Sequence, residues 1–273
     1  MDRGEQRQAG PVPAGEALAL VRRHDPDRFL TALFAPAERR DTLLLLYAFN
    51  HELARAREMV REPMMAMIRL QWWREVVEGA ERRHEVAGPL GAALAEGRLA
   101  RDDLAAMIDA REAEAAPAIA TFAEWQAHVR GTAGALARAA GRALGAEGAM
   151  LERIATLGTA YGVAGQVRNV EALARQGRCL LPLDLLAAQG LTAEAVAARP
   201  DDARLAPVLA ELSAWGRGLL AATGGRLPRP VIAAALPAVL ARRDLRRPAA
   251  TPAGPRRFAD RAAVLAAALV GRV

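Results

Sequence analysis

From Ala37 to Val60 apolar residues recur at helical spacing, and across Leu43–Phe49 they run almost without interruption. A helix apolar on nearly every side has no face to offer water, so it must be enclosed by other elements. Around it, periodic segments begin and end at ordinary helix signals. Asp25-Pro26-Asp27 supplies a cap and a first-position proline, and Thr121 with Glu124 reads as a capping box. No strand-like alternation persists anywhere, aromatics are only 4%, and Ala and Leu dominate. The expected fold class is all-α.

The spacing predicts helices over 14–23, 37–60, 64–78, 88–96, 101–116, 121–144 and 147–177. Shorter ones follow at 184–188, 192–197, 203–223, 230–242 and 260–270. Residues 1–13 read as a flexible arm, and 14–273 as one domain with a basic, Pro/Arg-rich loop at 246–257. At 273 residues the chain can bury a sizeable core. The start lacks an apolar signal segment, and no apolar run approaches the ~20 residues of a spanning helix. A cytoplasmic protein is expected, with the inner face of the cytoplasmic membrane as a peripheral site.

The formal charge of +6 rests on arginine alone, because the chain contains no lysine. That excludes lysine Schiff-base chemistry and a phosphate-loop lysine. Arginine binds phosphate in a forked geometry, so an anionic membrane surface is a candidate partner. The arginines are scattered and accompany no nucleic-acid motif, so no nucleic acid is expected. Cys179 stands alone, which rules out an intramolecular disulfide. His24, His51, His84 and His128 are far apart and show no zinc-ligand spacing.

Several ordered segments then carry a resemblance. They are Asp27-Arg28-Phe29-Leu30 with Leu33-Phe34-Ala35-Pro36, Leu46-Tyr47-Ala48-Phe49, Glu62-Pro63-Met64, Arg69-Leu70-Gln71-Trp72-Trp73-Arg74, and Arg175-Gln176-Gly177-Arg178 before Leu181-Pro182. Together they resemble the squalene/phytoene synthases, which join two prenyl diphosphates head to head. The resemblance implies an isoprenoid-synthase helical bundle around a central cavity. It also implies two helices carrying DDxxD-type motifs, whose carboxylates hold Mg²⁺ against the diphosphates.

Those carboxylates are missing here. The first motif aligns with Ala54, Arg55 and Glu58, and the second with Asn169 and Leu173. Only Glu58 remains acidic, and Arg55 beside it repels a dication. Phe49-Asn50-His51-Glu52-Leu53-Ala54-Arg55 is similar to the family branch represented by the mitochondrial assembly factor for respiratory complex I. The resemblance therefore implies a non-catalytic assembly or maturation factor whose partner is a complex I subunit or assembly intermediate. Under this reading no cofactor is expected and no metal is bound, Glu58 being the one candidate ligand. The alternatives are a divergent Mg²⁺-dependent prenyl transferase, and a carrier that holds an isoprenoid or lipid without reacting.

Within that implied cavity the expected lining residues are Tyr47, Asn50, His51, Trp72, Tyr161 and Gln166. Arg175 and Arg178 are the phosphate-binding candidates, since basic residues follow the second motif in the enzymes. At least one of Trp72 and Trp73 is expected in the core, because neighbours on a helix point in different directions.

Overall fold

The computed structural model describes residues 15–58, 63–112, 114, 118–247 and 254–273, without the side chains of residues 57, 58 and 63. The expected arm at 1–13, the side chain of Glu58 and the middle of the 246–257 loop lie outside the described residues. Every element longer than an isolated bridge is a helix.

The apolar run behaves as its composition demands. Within α3 (Ala37–Glu58), Leu43, Leu44, Leu46, Ala48 and Phe49 are buried, although they point around the whole helix circumference. The enclosing elements are α1 (Gly15–His24), α2 (Pro26–Ala32), α4 (Pro63–Glu78), α5 (Ala87–Ala95) and α6 (Arg101–Glu112), with α8 (Ala135–Ala143) behind them. Trp73 joins the core edge-on to Phe49, ring centres 5.3 Å apart.

The second central helix is α9 (Gly148–Arg168). It packs against α8, α13 (Leu205–Thr223) and α15 (Pro237–Asp244). Its contact with the α8 region is close because Gly158 and Gly162 lie against Ala133 and Ala137. A methyl built on Gly158 would sit 2.1 Å from the Ala137 Cβ, so no larger residue fits this crossing. The remaining helices are α7 (Phe122–Val129), α10 (Val170–Ala174), α11 (Leu183–Ala188), α12 (Ala193–Ala198), α14 (Ile232–Ala235) and α16 (Phe258–Val270).

Three predicted helices are subdivided, each for a local reason. The 121–144 segment carries a π-helical stretch, Arg130–Gly134, between α7 and α8. The 147–177 segment breaks at Asn169, whose φ of −100° and ψ of 8° depart from helix. The 230–242 segment divides before Pro237, which has no N–H for a continuing helical bond. The cap signals hold: the Asp25 side chain accepts from the Arg28 N–H at 3.0 Å, and Thr121 accepts from the Glu124 N–H at 3.1 Å. The reciprocal acceptor of the capping box, Glu124, reaches back to the Ala120 N–H rather than to Thr121.

Candidate functional site

A cavity of about 1020 Å³ lies between α3 and α9. Its floor and walls draw on α2, the π-helical stretch, the α9–α10 junction and the segment that precedes α16. The π-helical turn places Thr132 and Ala133 at the wall, and a wider turn of this kind re-aims side chains next to it. Leu30, Leu33, Leu180 and Leu240 supply apolar surface.

Three of the positions matching the two acidic motifs line this cavity. Ala54 comes from α3, while Asn169 and Leu173 come from the α9–α10 junction. Ala54 and Leu173 offer no oxygen to a cation. Arg55 is not in the lining; it turns to Glu52, with Nη1 2.9 Å from Oε1.

Among the described residues four carboxylates border the cavity, and each of these is already engaged by arginine. Asp25 pairs with Arg28 at 2.7 Å, Asp27 with Arg256 at 2.7 Å, Glu114 with Arg111 at 2.6 Å, and Asp260 with Arg243 at 2.6 Å. Against these four acids, seven arginines line the cavity among the described residues, so it carries a surplus of positive charge. Among the described residues no group of three or more His, Cys, Asp or Glu side chains could hold a metal ion. This donor set does not fit a Mg²⁺ cluster, which needs several oxygens in near-octahedral array. No catalytic step is derived through such a cluster.

Two charged networks shape the walls. At one end Glu114 receives Arg111, with His128 Nε2 at 3.4 Å and Arg178 Nη2 at 3.7 Å. Arg111 also donates to Asn50 Oδ1 at 3.2 Å. Burial opposes the Glu114 charge, yet Arg111, His128 and Arg178 outweigh it and hold its pKa below the usual carboxylate value. Burial pushes His128 the other way, below the ordinary histidine value, and Arg111 adds to that against the pull of Glu114.

At the other end Arg256 bridges Asp27 and Asp244, with contacts of 2.7–3.1 Å to the first and 2.8–2.9 Å to the second. Tyr161 donates its hydroxyl to Asp27 at 3.1 Å, and Arg168 donates to the Gly254 carbonyl. The Arg28 guanidinium lies 4.8 Å from the Tyr161 ring centre and 5.8 Å from that of Tyr47. Burial, with Asp25 next, drives the Tyr161 pKa well up, so its proton stays in place.

Several expected positions are corrected. Asn50, Tyr161, Gln166 and Arg178 line the cavity, but Tyr47, His51 and Trp72 do not. Tyr47 is buried beneath Arg28. His51 stacks on His24 at 4.4 Å, and His24 takes the lining place. Trp72 borders a separate hollow of about 370 Å³ with Met67, Ile68 and Gln71.

Arg175 and Arg178 part company at Gly177. With φ of +69° this glycine closes a Schellman turn, in which the Arg178 N–H bonds the Leu173 carbonyl and the Gly177 N–H bonds that of Ala174. Arg178 is thereby returned to the cavity, whereas Arg175 is left exposed. Arg111, Glu114, His128 and Arg256 are site residues that sequence spacing did not reveal. The one signal available was His128, a ring four residues before Thr132 on a predicted helix.

The sequence profile described as Squalene/phytoene synthase matches residues 21–265, nearly the whole chain. The chain belongs to the squalene/phytoene synthase family. It is 26% identical over 202 residues to the Homo sapiens protein named NADH dehydrogenase (ubiquinone) complex I, assembly factor 6, a match covering 72% of this chain. The homologue of that factor in Drosophila melanogaster is 25% identical over 194 residues. The chain spans about 61% of the length of the human relative. Among solved structures, a dehydrosqualene synthase in complex with ligand superimposes with a TM-score of 0.74 at 12% identity, covering 94% of this chain and 95% of that one. Squalene synthase HpnC from Alicyclobacillus acidocaldarius gives 0.67 at 20% identity, over 88% of this chain and 95% of that chain. These likenesses establish the all-α isoprenoid-synthase fold of this squalene/phytoene synthase family member.

Proposed function

We propose that this protein is a non-catalytic member of the squalene/phytoene synthase family that acts as an assembly or maturation factor for respiratory complex I, associating with a subunit or an intermediate. The observation that carries the non-catalytic part is the site itself. Ala54 and Leu173 stand where metal-binding carboxylates would be needed, and among the described residues the acids that border the cavity are neutralised by arginine. An arginine-held carboxylate is a poor magnesium ligand, because binding the metal would strand a buried cation. The likeness to proteins named as complex I assembly factors supports the rest.

The test is a gene deletion read on native gels for complex I and its subassemblies, with isoprenoid products measured in parallel. Loss of assembled complex I with unchanged squalene and carotenoids is expected, and the chain should restore it in trans. Fully assembled complex I in the deletion strain would refute the reading. Release of diphosphate from farnesyl or geranylgeranyl diphosphate by purified protein with Mg²⁺ would refute its non-catalytic part.

A second reading is favoured by the cavity's mixed character: the protein holds an isoprenoid or lipid without reacting. The space of about 1020 Å³ has leucines along its walls and an arginine surplus, a combination suited to an apolar chain with an anionic head. Native mass spectrometry of protein purified without detergent should show a bound lipid, and an unliganded mass under all conditions would remove this reading.

A further inference from the structure

The last helix is two-faced. On its inner side Val264 is fully buried and Asp260 is 1% exposed, held by Arg243. On its outer side Phe258, Leu265, Leu269 and Val270 are 87%, 49%, 69% and 59% exposed. Phe258, Ala262, Leu265 and Leu269 follow one another at intervals of four, three and four residues, which is a single stripe on a helix of 3.6 residues per turn. Large apolar side chains in such a row on open surface mark a contact site.

The exposed charges on the segment that carries the stripe, from Arg257 to Val273, are all of one sign. Asp260 is the only acid between Phe258 and Val273, and it is turned inward. Arg257 and Arg261 are exposed at the start of α16. At its far end the chain pairs with residues 225–227: the Gly225 N–H bonds the Val273 carbonyl and the Leu227 N–H bonds that of Gly271, both at 2.9 Å. This sets Arg226 opposite Arg272. Arg242 sits in the same neighbourhood, its pKa lowered first by burial and then by repulsion from Arg246 and Arg272. Crowded like charges beside apolar surface favour a partner that is anionic and apolar at once. A second copy docked through the same face would set arginine against arginine.

We propose that α16 is an interfacial helix that lays the protein on an anionic lipid bilayer. Phe258, Leu265, Leu269 and Val270 enter the acyl boundary, while Arg226, Arg257, Arg261 and Arg272 contact headgroup phosphates. At 13 residues the helix is too short to cross and has the two-sided character of helices that lie in the plane. Arg261 and the preceding Pro255 and Arg256 also border the central cavity, so the first turn of the helix is shared between the cavity wall and the lipid-facing side. This goes beyond the assembly reading and stands without it.

Full-length protein is floated with vesicles of phosphatidylcholine alone or of phosphatidylcholine with phosphatidylglycerol, at low and high salt. Binding to the acidic vesicles is expected, weakened by salt. The Arg226→Gln/Arg272→Gln pair should weaken it about 30-fold, from ~1 kcal/mol per cation near the surface. Leu265→Ser/Leu269→Ser should weaken it about tenfold or more, with the far-ultraviolet spectrum and melting temperature of both variants unchanged. No binding to acidic vesicles, equal binding to both vesicle types, or undiminished binding of the leucine variant would overturn the proposal. So would a leucine variant that loses only self-association or only association with an acidic protein, which would make this face a protein interface.

Discussion

Glu114→Gln tests the claim that the cavity's cations are held by internal acids. In the wild-type protein the Glu114 carboxylate is 5% exposed and faces Arg111 at 2.6 Å, Arg178 at 3.7 Å and His128 at 3.4 Å. Glutamine keeps the shape and removes the charge. Arg111 retains Asn50 but loses the carboxylate that faced it at 2.6 Å. Breaking a buried pair from one side costs ~3–5 kcal/mol. Unfolding entropy of ~2.1 cal/mol/K per residue, applied to 273 residues, then converts ~4 kcal/mol into a melting-point drop of about 7 °C. Scanning calorimetry at neutral pH reads this directly. Inorganic phosphate should restore more of the loss in the variant than it adds to the wild type, because it can replace the missing anion. A variant that melts within about 1 °C of wild type, or that ignores phosphate, would refute the argument that Glu114 balances this cluster.

Stability should fall as the pH drops below about 6.5: His128 has a lowered pKa when folded, so the unfolded chain takes the proton first. A second loss should follow below about 4.5, as the unfolded chain begins to protonate Glu114, and continue through that group's depressed folded value; urea midpoints across pH check both limbs, and a flat profile would contradict them. Gly158→Ala should cost at least ~1–3 kcal/mol through its clash with Ala137 and Ala133, whereas Gly165→Ala on the same helix meets nothing within 4 Å and should gain ~0.5–1 kcal/mol by helix propensity. Arg256→Ala, which strips Asp27 and Asp244 of a shared cation, should cost about 3 kcal/mol, and a cycle with Asp27→Asn should show ~1–3 kcal/mol of coupling rather than additivity.

The sequence by itself determined the helices and which side chains stand at the two motif positions. The apolar run at Leu43–Phe49 had to be enclosed, Asp25 and Thr121 had to cap, and Ala54 and Leu173 could never supply an oxygen, because these are properties of side chains and of local periodicity. It did not foretell which polar residues meet. Arg256 reaches Asp27 across 229 positions and Tyr161 reaches it across 134, and pairings of that range leave no periodic trace. Trp72 and His51 were misplaced for the same reason: a helix angle gives a direction, but not which neighbour fills it. Only the tertiary structure decided that, among the described residues, the acids bordering the cavity each answer to an arginine, since those pairs form where α2, α6, α15 and the segment leading into α16 converge.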